Sequence, residues 1–383
     1  MRAPPGPAGG PHLLVDTLHG RHAVMLDLTA DVRELTERIV DVESVSGSED
    51  SLADAIEYAL RPLEHLTVQR DGNAIIASTD LGRDQRIVLA GHIDTVPIAD
   101  NVPARSEDGR LYGCGTSDMK SGVAVQLKLA ATLTEPVHDL TFVLYDCEEV
   151  EAERNGLRRL ALHHPEWLFG DFAVLMEPTG GVIEGGCQGT MRADVTVGGE
   201  RAHSARSWMG SNAIHAAGGI LEILREYKPR YPEVEGLEFR EGLNAVFVSG
   251  GVAGNVIPDS CTVTVNYRFA PDRTVRDAEA HLRDVFADFE VRVTDAAAPA
   301  RPGLDHPAAA AFVRTVGSGQ ARAKLGWTDV SRMSELGIPA VNYGPGEPTL
   351  AHTAGEYVEL DAVAEAERRM ADWLSGRGSA GAA

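Results

Sequence analysis

The stretch "RIVLAGHIDTVP" (residues 86–97) decides the fold class. Ile87, Val88, Leu89 and Ala90 form a short continuous apolar run, and His92, Asp94 and Pro97 follow at once. An unbroken run of this length, bounded by turn residues, predicts a strand covered on both faces. Such strands belong to parallel or mixed sheets flanked by helices, and ligands bind outside their carboxyl ends. His92 and Asp94 therefore either cap a strand and turn the chain, or begin a site.

Working outward, three more runs have the same texture: "NAIIAST" (73–79), "LTFVLYD" (140–146) and "FAVLME" (172–177). Between and before them lie segments with helical spacing. Val32, Leu35, Ile39 and Val40 share one face of 31–44; 48–63 repeats the pattern with Ser48 or Ser51 as a cap, and 118–133 reads as a third helix. After "GCQGT" (186–190) the texture changes. Strand-like 191–199, helical 211–227, strand-like 244–252 and 260–270, helical 274–289 and strand-like 290–297 spell β-α-β-β-α-β, a ferredoxin-like unit. "APARPGLDHP" (298–307) closes it, and helix 306–317, strand 338–344 and helix 361–376 return to the first domain.

The expected architecture is α/β: a discontinuous catalytic domain (25–188 and 299–375) with a mixed, largely parallel sheet flanked by helices, and an inserted α+β lid (189–298). Residues 1–24, rich in Pro and Gly, read as a disordered extension or as sequence upstream of a start at Met25, and 376–383 as a loose tail.

Bulk properties narrow the function. A net charge of −22 argues against nucleic acid, whose phosphates call for basic patches. No apolar run reaches the roughly 18 residues of a membrane span. Four cysteines without CxxC spacing fit a reduced, cytoplasmic protein.

Acidic and histidine residues cluster where strands end: His92 and Asp94; Asp146, Glu148 and Glu149; Glu177; and, late in the chain, His352. Asp118 sits in the glycine-rich loop "GCGTSDMKSG" (113–122). Folding brings strand ends to one rim, where so many carboxylates would repel and raise one another's pKa. Two divalent cations relieve this, and imidazole with carboxylate suits zinc, with cobalt or manganese as substitutes. Asp118, short and central, is the best bridge between paired metals. One glutamate of Glu148–Glu149 can bind metal while the other, pointing elsewhere on an extended segment, acts as base toward a water acidified by metal. Asp94 can accept the other ring N–H of His92.

Together "GHIDTVP", "GTSDMKSG", "DCEEVE", "MEPT" and the late "AHT" resemble the zinc-dependent aminoacylase/carboxypeptidase metallopeptidase superfamily, from about Met25 to about Leu374. The resemblance implies two zinc ions per subunit: His92 and Glu177 on one, Glu149 and His352 on the other, Asp118 bridging. It implies Glu148 as general acid/base and a cis peptide bond after Asp118. It also implies a homodimer through the lid, with His203 of "GGERAHSARSW" (198–208) reaching the second subunit's site to stabilise an oxyanion, and Asn255 and Arg268 contacting substrate. Within the superfamily, segments 188–215 and 324–353 look most like the succinyl-diaminopimelate desuccinylases of the actinobacterial type. The implied substrate is N-succinyl-LL-2,6-diaminopimelate, a small anionic N-acyl amino acid. Its carboxylates call for arginines, with Arg206, Arg268 and Arg332 as candidates and Thr328 and Asp329 meeting its polar end. One departure stands out: where the enterobacterial enzymes carry arginines, this chain has Cys187 and Gln188. The rival readings are acetylornithine deacetylase, an aminoacylase or dipeptidase, and, from another class, a non-catalytic binding homologue.

Overall fold

The computed structural model describes residues 24–377. The extension expected over 1–24 and the tail expected over 376–383 fall almost wholly outside these residues.

Among the described residues, eight strands form one mixed sheet. Their spatial order is Thr67–Asp71, Ala74–Ser78, Asp139–Tyr145, Arg86–His92, Phe172–Leu175, Ala340–Asn342, Ile183–Gly185, Ala321–Ala323. The central four run parallel. Antiparallel neighbours flank them, Ala74–Ser78 on one side and Ile183–Gly185 on the other. The central strands are buried almost throughout because both faces are covered. Helices Val32–Val40, Asp50–Leu60, Ser121–Thr132, Pro307–Thr315 and Leu360–Leu374 pack on one face. Gly156–His163 and Val330–Glu335 pack on the other. Leu89, in the middle, is fully buried, and trimming it to alanine should cost about 2–5 kcal/mol. The parallel register sends His92, Tyr145 and Leu175 out of the sheet at the same edge.

The helix Ser121–Thr132 packs hard against the segment that follows Phe172–Leu175. A Cβ at Gly122 would collide with the Met176 carbonyl, so glycine is needed for this approach. Helix Asp50–Leu60 is not capped by Ser48 or Ser51. Glu49 occupies the N-cap without a side-chain cap bond; its carboxylate instead accepts from the Gly47 and Cys147 amides. The sequence pattern also passed over the short strands Ile183–Gly185 and Ala321–Ala323, and a small sheet of Arg105–Glu107, Arg110–Tyr112 and Tyr357–Glu359.

The inserted unit is a four-stranded antiparallel sheet in the order Gly242–Gly250, Ser260–Phe269, Gly189–Gly198, Glu290–Ala297. Helices Gly218–Glu226 and Val275–Val285 cover one face with Ile220, Ala278 and Leu282. The single helix expected over 211–227 is two, Ala213–Ala216 and Gly218–Glu226; the Gly218–Gly219 pair weakens the helix where it breaks. The chain leaves the large domain at Cys187 and returns at Ala300, and these two residues exchange backbone hydrogen bonds of 3.0 and 3.1 Å. No helix among the described residues is long and apolar enough to cross a membrane.

Candidate active site

His92 ends its strand fully buried at the sheet edge. Its Nδ1 lies 3.0 Å from the Asp94 backbone carbonyl and 3.4 Å from Asp94 Oδ1. Both oxygens favour an N–H at Nδ1, which leaves the Nε2 lone pair facing the site. The Asp94 carboxylate does more than face the ring. It accepts from Ser46 Oγ at 2.6 Å and from the backbone amides of Glu148 and Glu149 at 3.0 and 3.1 Å. One buried carboxylate therefore fixes the histidine and the turn that carries both glutamates.

That turn corrects the sequence reading. Glu148 and Glu149 do not lie on an extended segment. The strand ends at Tyr145, and Cys147 takes a left-handed φ of 56°. The turn aims both amides back at Asp94, and the two side chains bring a carboxylate oxygen each within 4.8 Å of one another and of a His92 ring nitrogen.

Asp118 sits in the turn Thr116–Lys120, entered through Gly115 at φ 83°, a conformation that favours glycine. The Asp118–Met119 peptide is cis. Glu356, 2% exposed, holds the loop from below: it accepts from the amides of Ser117 at 2.8 Å, Asp118 at 3.0 Å and Gly115 at 3.1 Å. Asp118 spreads its two oxygens, Oδ1 3.2 Å from His92 Nε2 and Oδ2 3.5 Å from His352 Nε2. His352 Nε2 also lies 2.7 Å from Glu149 Oε1. Glu177 follows Phe172–Leu175 off the sheet, with Oε1 buried and without a hydrogen-bond partner.

His92, Asp118 and Glu177 thus bring one donor atom each within 4.8 Å of one another, and so do Asp118, Glu149 and His352. The electrostatics match a cation site. Burial, then the charge of Asp118, pushes Glu177 up to about 8, and burial holds Glu148 well above the usual carboxylate range. Asp118 and Glu149 raise His352 to about 10. Burial would lower the pKa of His92, but Asp118 and Asp94 raise it well above the ordinary value. Burial would raise Asp118, yet His352 and His92 hold it low. The raised groups, Glu177, Glu148, His352 and His92, keep compensating protons on a cluster too anionic to stand alone, while Asp118 stays ionised between the two histidines. A divalent cation in each triad would serve the same end, and the N/O donor set suits zinc.

Two cavities meet at Glu148, Glu149 and Trp327. One, of about 720 Å³, is lined by Asp118, Glu177, Lys324, Thr328 and His352. The other, of about 580 Å³, is lined by Asn155, Thr190, Arg192 and Arg332. Thr328 donates to Asn342 Oδ1 at 2.9 Å. Asp329 does not reach either cavity. It is fully buried, accepts from Asn155 Nδ2 at 2.9 Å and pairs with Arg332 at 2.5 Å; it positions Arg332, which also stacks over Trp327. Arg268 is half-buried, with Asn266 Oδ1 as its hydrogen-bond partner at 3.2 Å; burial and then Arg192 lower its pKa. His203, Arg206 and Asn255 are exposed on the lid and stand outside the donor cluster of this chain. Cys187 and Gln188 are buried and bond to the Thr328 and Arg240 carbonyls. Sequence reasoning missed Ser46, Asn155, Lys324 and Glu356; Lys324, which opens segment 324–353, and Glu356, four residues beyond His352, lay in stretches already singled out for other residues.

Residues 88–375 match the family model described as Peptidase family M20/M25/M40. The chain belongs to that family. As an M20-family protein it is a metal-dependent amidohydrolase. It is 54% identical over 355 residues to a Mycobacterium tuberculosis protein provisionally named a succinyl-diaminopimelate desuccinylase, covering 92% of this chain and 100% of that one. It is 48% identical over 360 residues to the succinyl-diaminopimelate desuccinylase of Corynebacterium glutamicum, covering 91% and 98%. Among solved structures, a Staphylococcus aureus tripeptidase shares the fold with a TM-score of 0.75 at 21% identity, over 92% of this chain and 99% of that one.

Proposed function

We propose that this M20-family chain hydrolyses N-succinyl-LL-2,6-diaminopimelate to succinate and LL-2,6-diaminopimelate, a step toward lysine and peptidoglycan. The observation that carries the chemistry is the pair of donor triads sharing Asp118 beside half-buried Glu148. The full-length similarity to proteins named for this reaction supports the substrate.

His92 and Glu177 would hold one divalent cation, Glu149 and His352 the other, with Asp118 between them. Zinc fits the donors best, and cobalt or manganese fits the same set. When bound, the pair supplies Lewis acidity, polarising the amide carbonyl and acidifying a water. Glu148 takes the proton of the attacking water and passes it to the leaving nitrogen, so the amine departs neutral. Burial suits it to hold that proton between the two steps. Asp94 keeps the Glu148–Glu149 turn and the His92 ring in register. Arg332 and Thr328, which line the two cavities, would meet the substrate's carboxylates, and Arg268, Arg206 and Asn255 would reach it from the lid.

The lid supports a homodimer. Its edge strand Gly242–Gly250 leaves Val246, Phe247 and Val248 57%, 65% and 58% exposed. An exposed apolar edge of this kind is a candidate surface for another copy. In that assembly His203 would donate to the oxyanion in the second subunit's site. Four free, buried cysteines suit a reducing compartment, the cytoplasm.

The deciding experiment is a substrate panel on the zinc-loaded protein: N-succinyl-diaminopimelate, N-acetylornithine and simple dipeptides. Succinate release from the first at the highest kcat/KM is expected. Preference for acetylornithine would replace the reading with a deacetylase.

A further inference from the structure

The larger cavity holds a cation that the reaction above leaves unused. Lys324 follows the edge strand Ala321–Ala323 and is 8% exposed. Its ammonium lies 3.0 Å from Glu184 Oε2 and 3.4 Å from the Pro178 carbonyl. Pro178 is the residue after Glu177, and the charge of Lys324 opposes the upward push that burial gives Glu177. Arg322 Nε takes the other Glu184 oxygen at 2.8 Å. One carboxylate thus faces two cations, and the group keeps a net positive charge in a wall whose other ionisable members are mostly acidic. An ammonium has three N–H donors; the Pro178 carbonyl takes one, the ion pair with Glu184 occupies a second side without forming a hydrogen bond, and the third is left for the cavity.

We propose that Lys324 binds the free carboxylate of the acyl group and thereby selects a succinyl chain over an uncharged one; this rests on the desuccinylase reading. Reach decides which end of the substrate it meets. Three C–C bonds of about 1.5 Å separate the scissile carbonyl carbon of a succinyl group from its free carboxylate, so that carboxylate stays close to the reacting centre. Lys324 reaches the carbonyl of the residue that follows Glu177 and lines the same cavity as Asp118, Glu148, Glu177 and His352. The ammonium-carboxylate terminus of the diaminopimelate half lies a whole carbon chain farther away. An uncharged acyl chain would strip water from the third N–H and return nothing, and a site built around a polar contact rejects an analogue lacking it.

The test compares kcat/KM for N-succinyl- and N-acetyl-diaminopimelate on the metal-loaded enzyme. Lys324→Met is expected to lower the succinyl value by about ten- to a hundredfold, the worth of one charge-assisted hydrogen bond, and the acetyl value by less than about threefold. Lys324→Arg should keep most of the preference. Equal losses on both substrates in Lys324→Met, with metal content and melting unchanged, would overturn the assignment. A measurement on the unaltered enzyme needs no variant to fold: succinate should inhibit about tenfold or more better than butyrate, which has the same chain with one carboxylate fewer. Equal inhibition by the two acids would also overturn it. Failure of the unaltered enzyme to release succinate sinks the desuccinylase reading itself; succinate release with an unmoved succinyl-to-acetyl ratio in Lys324→Met sinks only the role of Lys324.

Discussion

Glu356→Gln isolates a residue that touches no substrate yet sets where Asp118 stands. Glu356 Oε1 accepts from Ser117 and Asp118, and Oε2 accepts from Gly115. Glutamine keeps one oxygen. If that oxygen stays with Ser117 and Asp118, the new NH2 meets the Gly115 N–H donor to donor; the flipped rotamer strands two amides instead. A stranded buried donor costs about 1–3 kcal/mol, and turning two charge-assisted bonds into neutral ones costs about 0.5–1.5 kcal/mol each. The sum is about 2–6 kcal/mol of stability. Because the same amides fix Asp118, metal affinity should also fall, by about tenfold or more. Unfolding of metal-free and metal-loaded protein separates the two effects, and competition with a chromophoric chelator reads the affinity. An unchanged unfolding midpoint together with unchanged chelator competition would refute the reasoning.

Other expectations follow from the same geometry. Glu148→Gln should retain its metal but lose hydrolysis by about 10²–10⁴-fold; turnover at full metal content near the unaltered rate removes Glu148 from the mechanism. Metal-free protein should lose stability as pH rises. Glu177, at about 8 folded against an ordinary 4.5, and His352, at about 10 against 6.5, both bind protons more tightly when folded. Their contribution is complete below the ordinary values and is lost as pH passes through the folded ones. A chelator-treated melting midpoint that climbs from about pH 5 to about pH 9 contradicts this. Phe247→Lys should yield a monomer by mass in solution, with metal content intact; an unaltered dimer moves the interface elsewhere.

The strand ends were legible because a buried parallel strand announces itself as an apolar run and stops abruptly. His92, Glu148, Glu149 and Glu177 all lie just past such a stop, and Asp118 lies in a loop marked by glycines. What escaped were residues whose meaning is a distant partner. Ser46 meets Asp94 across 48 positions and Glu356 meets Asp118 across 238; neither sits in a local pattern. Lys324 lies beside a three-residue edge strand, too short to show a period. The left-handed turn at Cys147 is invisible to apolar spacing, so Glu148 and Glu149 read as extended. Asp329 shares its segment with Thr328, and only packing reveals that it lies beneath the cavities.

The two backbone hydrogen bonds between Cys187 and Ala300 have a consequence for how such a protein can change over generations. Every residue between them enters and leaves the large domain through strands that lie side by side, so the insertion presents its host with a gap one peptide wide. Both donor triads lie outside that interval. The lid can lengthen, acquire a new face or be exchanged for another without disturbing the register that brings His92, Asp118 and Glu177 together. A short linker across the gap should leave the catalytic sheet able to close on itself, since joining adjacent ends adds little loop entropy. The two donor triads and the insertion that faces them are thereby carried on separable stretches of a single polypeptide.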